Sequence, residues 1–111
     1  MTGTAGVADV TDADFTARVL ESELPVLVQF TAVWCGPCRM LKPVLADIAR
    51  EEAERLTVVQ IDVDANTETT QRYAVLSTPT LMVFRGGEPV LSTVGAKPKR
   101  LLLRELANVL D

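Results

Sequence analysis

Two cysteines three positions apart are the residues best suited to chemistry in this chain. Cys35 and Cys38 are its only cysteines, and Gly36 and Pro37 separate them. They follow an apolar run typical of a buried strand and open a segment with helical periodicity. At a helix N-terminus, unpaired N–H groups and the macrodipole favour a thiolate, so we expect a lowered pKa for Cys35. One helical turn separates the two sulfurs, which can therefore reach each other.

This spacing predicts dithiol–disulfide exchange. Cys35, as a thiolate, attacks a substrate disulfide and forms a mixed disulfide, and Cys38 then attacks Cys35 and releases the reduced substrate. We expect an exposed Cys35 and a mostly buried Cys38. Pro37 has no N–H to leave unpaired in the first turn, and Gly36 keeps side-chain bulk away from an approaching disulfide.

Other uses of a cysteine pair fit this sequence less well. A structural disulfide would close a loop too short to constrain the unfolded chain much. Zinc usually takes four Cys or His ligands, and this chain has two cysteines and no histidine, so only a dimer could complete a metal or cluster site. Arg39 stands where a haem attachment motif requires His. We therefore expect no cofactor beyond a redox-active Cys35–Cys38 disulfide.

The elements around the cysteines alternate between strands and helices. Residues 24–30 and 56–62 are apolar runs of β-formers, which indicates strands covered on both faces. Residues 35–52 form a helix whose apolar positions recur with helical spacing: Leu41, Val44, Leu45, Ile48 and Ala49. Pro43 lies inside this helix and should kink it.

The second half of the chain predicts a weak helix, a hairpin and a final helix. The helix covers residues 66–73, and the hairpin joins strands over 80–84 and 89–94 through Gly86-Gly87. The final helix has an apolar face formed by Leu103, Leu106, Ala107 and Leu110. The order β-α-β-α-β-β-α predicts an α/β fold with a mixed sheet.

A further strand and helix can precede this series. Thr11 to Asp14 resembles a capping box with Asp in place of the usual Glu, and a short helix with Phe15 and Val19 on one face should follow.

Length and composition predict one globular domain over residues 1–111, with residues 1–6 as a loose tail. The chain is 48% hydrophobic and 23% charged, and its net charge of −4 argues against a nucleic-acid partner, which needs a basic face. The N-terminus has no signal-peptide pattern, and no apolar run is long enough to cross a bilayer. We therefore expect a soluble, cytoplasmic protein without a membrane partner.

The segment from Trp34 to Cys38, placed after a buried strand, resembles the active-site motif of the thioredoxin family. The resemblance covers nearly the whole chain and includes Phe15, Phe30, Ala32, Pro43, Asp62, Thr78, Pro79, Thr80, Phe84, Gly86, Gly95 and Ala96. It implies the thioredoxin fold, a central mixed β-sheet flanked by helices on both faces, and the activity of a general protein-disulfide reductase. The Gly-Pro between the cysteines argues against an oxidant or isomerase.

The resemblance also implies which residues surround Cys35. Pro79 matches the family's cis-proline, packed against the cysteines, although the sequence alone favours a trans bond. The backbone of Thr78 would pair with an extended substrate segment. A shallow apolar surface would consist of Trp34, Val63, Pro79, Gly95 and Ala96. For Val63 and Ala96, an ordinary place in the core is an open alternative.

The implied partners are a thioredoxin reductase and disulfide-containing proteins. The reductase, an NADPH-dependent flavoprotein, would donate electrons, and this chain itself has no phosphate-binding glycine-rich loop. We expect a monomer. The alternative function is a binding or structural subunit of the same fold, in which redox activity is incidental.

The chain departs from the family at two positions that face each other in the expected sheet. The strand before the motif usually carries a buried aspartate beneath the second cysteine, where this chain has Gln29, and a nearby lysine is replaced by Gln60. Replacing both members of a buried charge pair leaves no unpaired charge. In addition, Thr31 stands where the family often has tryptophan, and Val33 where it often has a polar residue.

An amide cannot accept a proton at working pH, although it can hold a water by hydrogen bonds. We therefore predict that Gln29→Asp speeds the reduction of a protein disulfide near neutral pH, because a carboxylate can take the Cys38 proton directly. The measurement is the rate of the reduced protein with a protein disulfide under single-turnover conditions. An unchanged rate would indicate that Gln29 is simply a hydrogen-bonded core amide.

Overall fold

A computed structural model describes residues 6–111, so most of the expected tail over residues 1–6 lies outside the described residues. The strands are β1 Val7–Asp9, β2 Val26–Thr31, β3 Thr57–Asp62, β4 Thr80–Arg85 and β5 Glu88–Val94. The helices are α1 Gly36–Glu51, α2 Thr67–Arg72 and α3 Lys99–Leu110, and a π-helical turn spans Thr16–Leu20. The predicted order of elements, including the extra strand and short helix in front, is confirmed.

The five strands form one mixed sheet in the order β1-β3-β2-β4-β5. β3 pairs in parallel with β1 and with β2, whereas β4 runs antiparallel to both β2 and β5. β2 therefore lies at the centre, and residues Val26 to Phe30 are all buried. Its run of apolar residues, broken only by Gln29, follows from this position, because both faces of a central strand are covered.

Helices cover both faces of the sheet, as predicted. On one face, α1 and α3 contribute Leu41, Leu45, Ile48, Leu102 and Leu106 to a core cluster with Leu27, Val58 and Leu81. On the other face, Phe15 of the N-terminal segment packs edge-on against Phe84 at 5.5 Å between ring centroids, and Tyr73 does the same at 5.0 Å. Together these two layers form an α/β fold around a central mixed sheet, as predicted.

The helix α1 carries the residues of the motif and anchors them to the sheet. Its buried positions Leu41, Leu45, Ile48 and Ala49 confirm the predicted apolar face, while Val44 is only partly buried. Pro43 lies inside the helix on its exposed side, and the helix continues through it. A kink at Pro43 stays a prediction.

The predicted face of the final helix is partly wrong. Leu102 and Leu106 are the buried residues of α3, whereas Leu103 and Leu110 pack only partly against the core. Leu101, Leu102 and Leu103 are consecutive, so helical periodicity is compatible with more than one choice of inward face. None of the helices within residues 6–111 is long and apolar enough to cross a bilayer.

Half of the predicted capping box forms before the π-helical turn. The Thr11 N–H donates to Asp14 Oδ1 at 2.7 Å, but the Thr11 hydroxyl also donates to this carboxylate instead of accepting the Asp14 N–H. The Asp14 N–H donates to the Thr11 carbonyl oxygen at 3.2 Å. Phe15 and Val19 are buried as predicted, and the Glu21 N–H donates to the Thr16 carbonyl, five residues back, at 2.9 Å.

The start of α2 is capped by a residue far away in sequence. Asp12 accepts the backbone N–H groups of Thr69 at 2.9 Å and Glu68 at 3.2 Å, and its own N–H donates to Asn66 Oδ1 at 2.8 Å. A hydrogen bond from the Thr69 side chain, aided by these N–H groups, holds the pKa of Asp12 below its usual range. The weak local helical pattern of α2 is therefore compensated by a tertiary cap.

We predict that Asp12→Ala lowers the Tm by a few degrees at pH 7, because two N–H groups of α2 lose their acceptor. Since the folded pKa of Asp12 is lowered, the ionised carboxylate contributes in full above about pH 4, and its contribution is lost as the pH falls through the lowered pKa. Thermal unfolding at a series of pH values measures this, with exposed Glu23→Ala as control. A Tm difference that persists unchanged at low pH would contradict the prediction.

Candidate active site

The two cysteines form a disulfide at the N-terminus of α1. Cys35 and Cys38 are bonded to each other, with their Cα atoms 5.3 Å apart. Cys35 is the N-cap residue, and its Sγ accepts the backbone N–H of Cys38 at 3.1 Å. The sulfur therefore takes the position in which a capping oxygen usually satisfies the first turn of a helix. The Cys35 sulfur therefore lies at the positive end of the helix dipole.

The expectation that Cys35 is exposed is wrong for the disulfide form. Cys35 is 3% exposed and Cys38 1%. Both pack against Ala32 in a small cluster that Val63 partly covers. Sequence periodicity indicated only that Cys35 begins the helix, and the cover comes from the segments that follow β2 and β3.

Gly36 and Pro37 form the corner of the motif, where Gly36 is partly buried and Pro37 is exposed. Pro37 lies in the first turn of α1, where a missing N–H breaks no helical hydrogen bond. A Cβ added at Gly36 would have only Arg39 Nη2 nearby, at 4.0 Å. Packing within residues 6–111 therefore does not require glycine at position 36.

Pro79 lies at the same end of the sheet as the motif. The Thr78–Pro79 peptide bond is cis, as the family resemblance implied. Thr80 is in register with Phe30 on the central strand, so the residue before it lies beside the chain that leads from β2 to Cys35. Pro79 is buried, and its carbonyl oxygen accepts the Gly95 N–H at 2.9 Å. This bond ties the end of β5 to the cis-proline segment.

The remaining expected surface residues differ in exposure. Trp34 is 68% exposed, and Val33 beside it is 81% exposed. Val63 is partly buried and packs against the cysteines. It therefore belongs both to the core beneath the site and to the surface around it. Ala96 is exposed, so the core interpretation is wrong for this residue. Gly95 has a φ of +98°, which favours glycine on conformational grounds alone.

Asp64 holds the Trp34 ring, and no sequence pattern predicted this contact. The indole Nε1–H of Trp34 donates to Asp64 Oδ2 at 2.7 Å. Asp64 lies in the turn after β3, where its own N–H donates to Asp62 Oδ1 at 2.8 Å. No sequence pattern links residues that are 30 positions apart. The two aspartates at the end of a buried strand, Asp62 and Asp64, do indicate a turn held by side-chain hydrogen bonds.

Both glutamines that replace the family's charge pair are buried on the α1 face of the sheet. Gln29 is 0% exposed and Gln60 6%. Gln29 Nε2 donates to the Cys38 carbonyl oxygen at 3.4 Å, and Gln60 Nε2 donates to Asp9 Oδ1 at 2.7 Å. Gln29 is thus a hydrogen-bonded core amide beneath Cys38. The involvement of Asp9 was not predicted.

A cysteine pair that forms a disulfide at the start of a helix, directly after a central strand, defines a thiol–disulfide oxidoreductase. The chain matches the thioredoxin family model over residues 6–108. It therefore belongs to the thioredoxin family, and it is a protein-disulfide reductase.

The relatives support this membership over most of the chain. A thioredoxin of Mycobacterium tuberculosis is 56% identical over 100 residues, which cover 90% of this chain and 86% of that protein. A thioredoxin of Alicyclobacillus acidocaldarius is 46% identical over 102 residues, covering 92% and 96% respectively. A bifunctional thioredoxin reductase/thioredoxin of Mycobacterium leprae is 54% identical over 106 residues, 95% of this chain but 23% of that longer protein.

We predict that Asp64→Ala increases the mobility of the Trp34 ring, because the indole loses its hydrogen bond to the turn after β3 while most of its surface is already in water. Time-resolved fluorescence anisotropy measures this cleanly, since Trp34 is the single tryptophan. The free energy of unfolding should change by no more than about 0.5 kcal/mol. Unchanged anisotropy, or an equal change in the control Asp47→Ala, would contradict the prediction.

Proposed function

We propose that Cys35 is the nucleophile and Cys38 the resolving thiol of a reducing cycle. The observation that carries this assignment is the N-cap geometry, in which the Cys35 sulfur accepts the Cys38 N–H at 3.1 Å. Cys35 and Cys38 are 3% and 1% exposed, so the assignment depends on their positions in the helix: Cys35 is the N-cap and Cys38 lies inside the first turn.

The cycle has two exchange steps. The Cys35 thiolate attacks one sulfur of a substrate disulfide, and the other substrate sulfur leaves with the electron pair of the broken bond. The Cys38 thiolate then attacks Cys35, and the second substrate sulfur leaves. The substrate gains two electrons and two protons, and the Cys35–Cys38 disulfide is the oxidised product.

The substrate would dock on the surface around the motif. Trp34, Val63, Pro79, Gly95 and Ala96 supply a shallow, largely apolar contact area, and the backbone of Thr78 would pair with an extended segment of the substrate. Exposed Val33 enlarges this area beyond what the family pattern implies.

Gly36 and Pro37 would contribute through their backbone and shape, not through a reactive group. Gly36 would leave room for an approaching disulfide, since its Cβ position is open, and Pro37 would stiffen the first turn. Gln29 and Gln60 would support Cys38 from below.

The oxidised protein would be recycled by a thioredoxin reductase, an NADPH-dependent flavoprotein, in the cytoplasm. The Mycobacterium leprae relative is named as a bifunctional thioredoxin reductase/thioredoxin, which supports such a pairing. The proposed electron flow runs from NADPH through the flavoprotein to this chain, as a monomer, and on to protein disulfides.

Reduction of insulin by dithiothreitol tests the assignment of the cysteines. We expect this protein to accelerate insulin precipitation, and Cys35→Ser to abolish the acceleration. Cys38→Ser should form a mixed disulfide with the substrate and stall there, which mass spectrometry detects. Exposed Ser92→Ala serves as the control.

If Cys35→Ser and the unaltered protein accelerated precipitation equally, the nucleophile assignment would be wrong. If neither accelerated it, the chain would be a binding subunit with incidental redox chemistry. Trapping through Cys38 in place of Cys35 would reverse the two roles.

A further inference from the structure

Three polar side chains lie side by side on neighbouring strands beneath the cysteine pair. Gln29 of β2 is in register with Gln60 of β3, which is in register with Asp9 of β1. Register partners in parallel strands project to the same face, and the contact from Gln29 to Cys38 identifies it as the α1 face. This polar row, Gln29–Gln60–Asp9, extends from beneath Cys38 to the edge of the sheet.

The hydrogen-bond partners determine how the two amides point. The Cys38 carbonyl and the Asp9 carboxylate are acceptors, so each amide directs its NH₂ group towards them. The Oε1 atoms of Gln29 and Gln60 consequently take no part in these two hydrogen bonds. Both are buried, and within residues 6–111 neither has a hydrogen-bond donor. Buried polar groups of this kind are commonly satisfied by a water molecule with two or more polar partners.

A groove of about 720 Å³ opens the Gln60 and Asp9 end of the polar row to solvent. Asp9 and Gln60 line it, together with Ala32, which packs against Cys38. The charged groups that face the groove are Asp9 from β1, Asp62 from the end of β3, and Arg39 and Lys42 from the first turns of α1. Water from this groove can therefore reach the polar row beside Asp9, which is the only carboxylate among the three residues of the row.

We propose that Asp9 is the proton acceptor for Cys38, through water held by the amide oxygens of Gln29 and Gln60. The two glutamines act as positioning residues, since an amide does not itself titrate. Asp9 is the ionisable group to which the row leads, because Gln60 donates directly to its carboxylate. The proposal rests on Cys38 as the resolving thiol.

The proton and electron balance of the second step is complete. The S–H proton of Cys38 passes to the bound water and on to the Asp9 carboxylate. The Cys38 sulfur then bonds to Cys35, and the substrate sulfur leaves with the electron pair of the broken bond. The proton returns from Asp9 through solvent to this leaving thiolate.

Reaction of the reduced protein with dithiobis(nitrobenzoate) separates the two steps. The first thionitrobenzoate released reports the attack by Cys35 and depends on reagent concentration, whereas the second reports resolution by Cys38 and does not. We expect Asp9→Asn to slow the second phase by about tenfold at pH 7, the modest end of general-base effects because the transfer runs through water. The first phase should stay unchanged, and Asp9→Glu should restore most of the second.

The pH profile distinguishes proton transfer from a structural role. In the unaltered protein a carboxylate accepts the proton, so the second phase should depend little on hydroxide concentration around pH 7. In Asp9→Asn it should rise steadily with pH, because hydroxide replaces the carboxylate. The matched control Glu54→Gln removes an exposed carboxylate in the turn that follows α1 and should leave both phases unchanged.

A double-mutant cycle with Gln29→Asp completes the test. A carboxylate placed directly beneath Cys38 makes Asp9 redundant, so Asp9→Asn should slow the second phase by less than twofold in that background. An unchanged second phase in Asp9→Asn alone, or equal slowing in both backgrounds, would overturn the proposal. Loss of the first phase in the unaltered protein would instead contradict the nucleophile assignment of Cys35.

Discussion

The contact from the Cys38 N–H to the Cys35 sulfur is the interaction on which the site depends. It requires α1 to begin at Gly36 and to point its N-terminus at one particular sulfur. That orientation in turn depends on the apolar face of α1, which is packed against the sheet next to the central strand. The chemistry of the site therefore needs the complete fold, because an isolated helix of this length would not hold its first turn in place.

Neutral amides beneath the second cysteine change the electrostatics of this arrangement. A buried charge pair stabilises only while both partners are present, and its desolvation cost is large. Gln29 and Gln60 avoid that cost and still bind polar partners, one on the backbone of α1 and the other on Asp9. The ionisable group is thereby moved from the core to the edge of the sheet, where its charge remains solvated. A reducing centre of this type can thus do without a buried charge pair and retain a carboxylate within reach of water.

Much of the fold was predictable because its strongest patterns are local. The apolar run over residues 24–30, the helical repeat of α1 and the Gly86-Gly87 turn each specify an element without help from distant residues, and the structure has all three. The motif from Trp34 to Cys38 likewise carries its chemistry in its own spacing. What remained hidden was long-range: the cap that Asp12 provides for α2, and the bond between Trp34 and Asp64.

Other misses have equally specific causes. The burial of Cys35 arises from Val63 and Ala32, which belong to segments on either side of the motif in space. The inward face of α3 was ambiguous because its leucines are consecutive. Asp9 looked like an ordinary polar residue at a strand end, and only the register of β1 with β3 makes it a neighbour of Gln60.

The short edge strand β1 has a consequence for how the chain can be altered. Within six residues, Val7 enters the core, Asp9 binds Gln60, and Asp12 caps a helix more than fifty positions later. Chain ends usually tolerate tags and truncations well. Here a fusion partner or affinity tag has to join the chain before Val7, since a junction any further in would loosen the sheet, a helix and the active centre together.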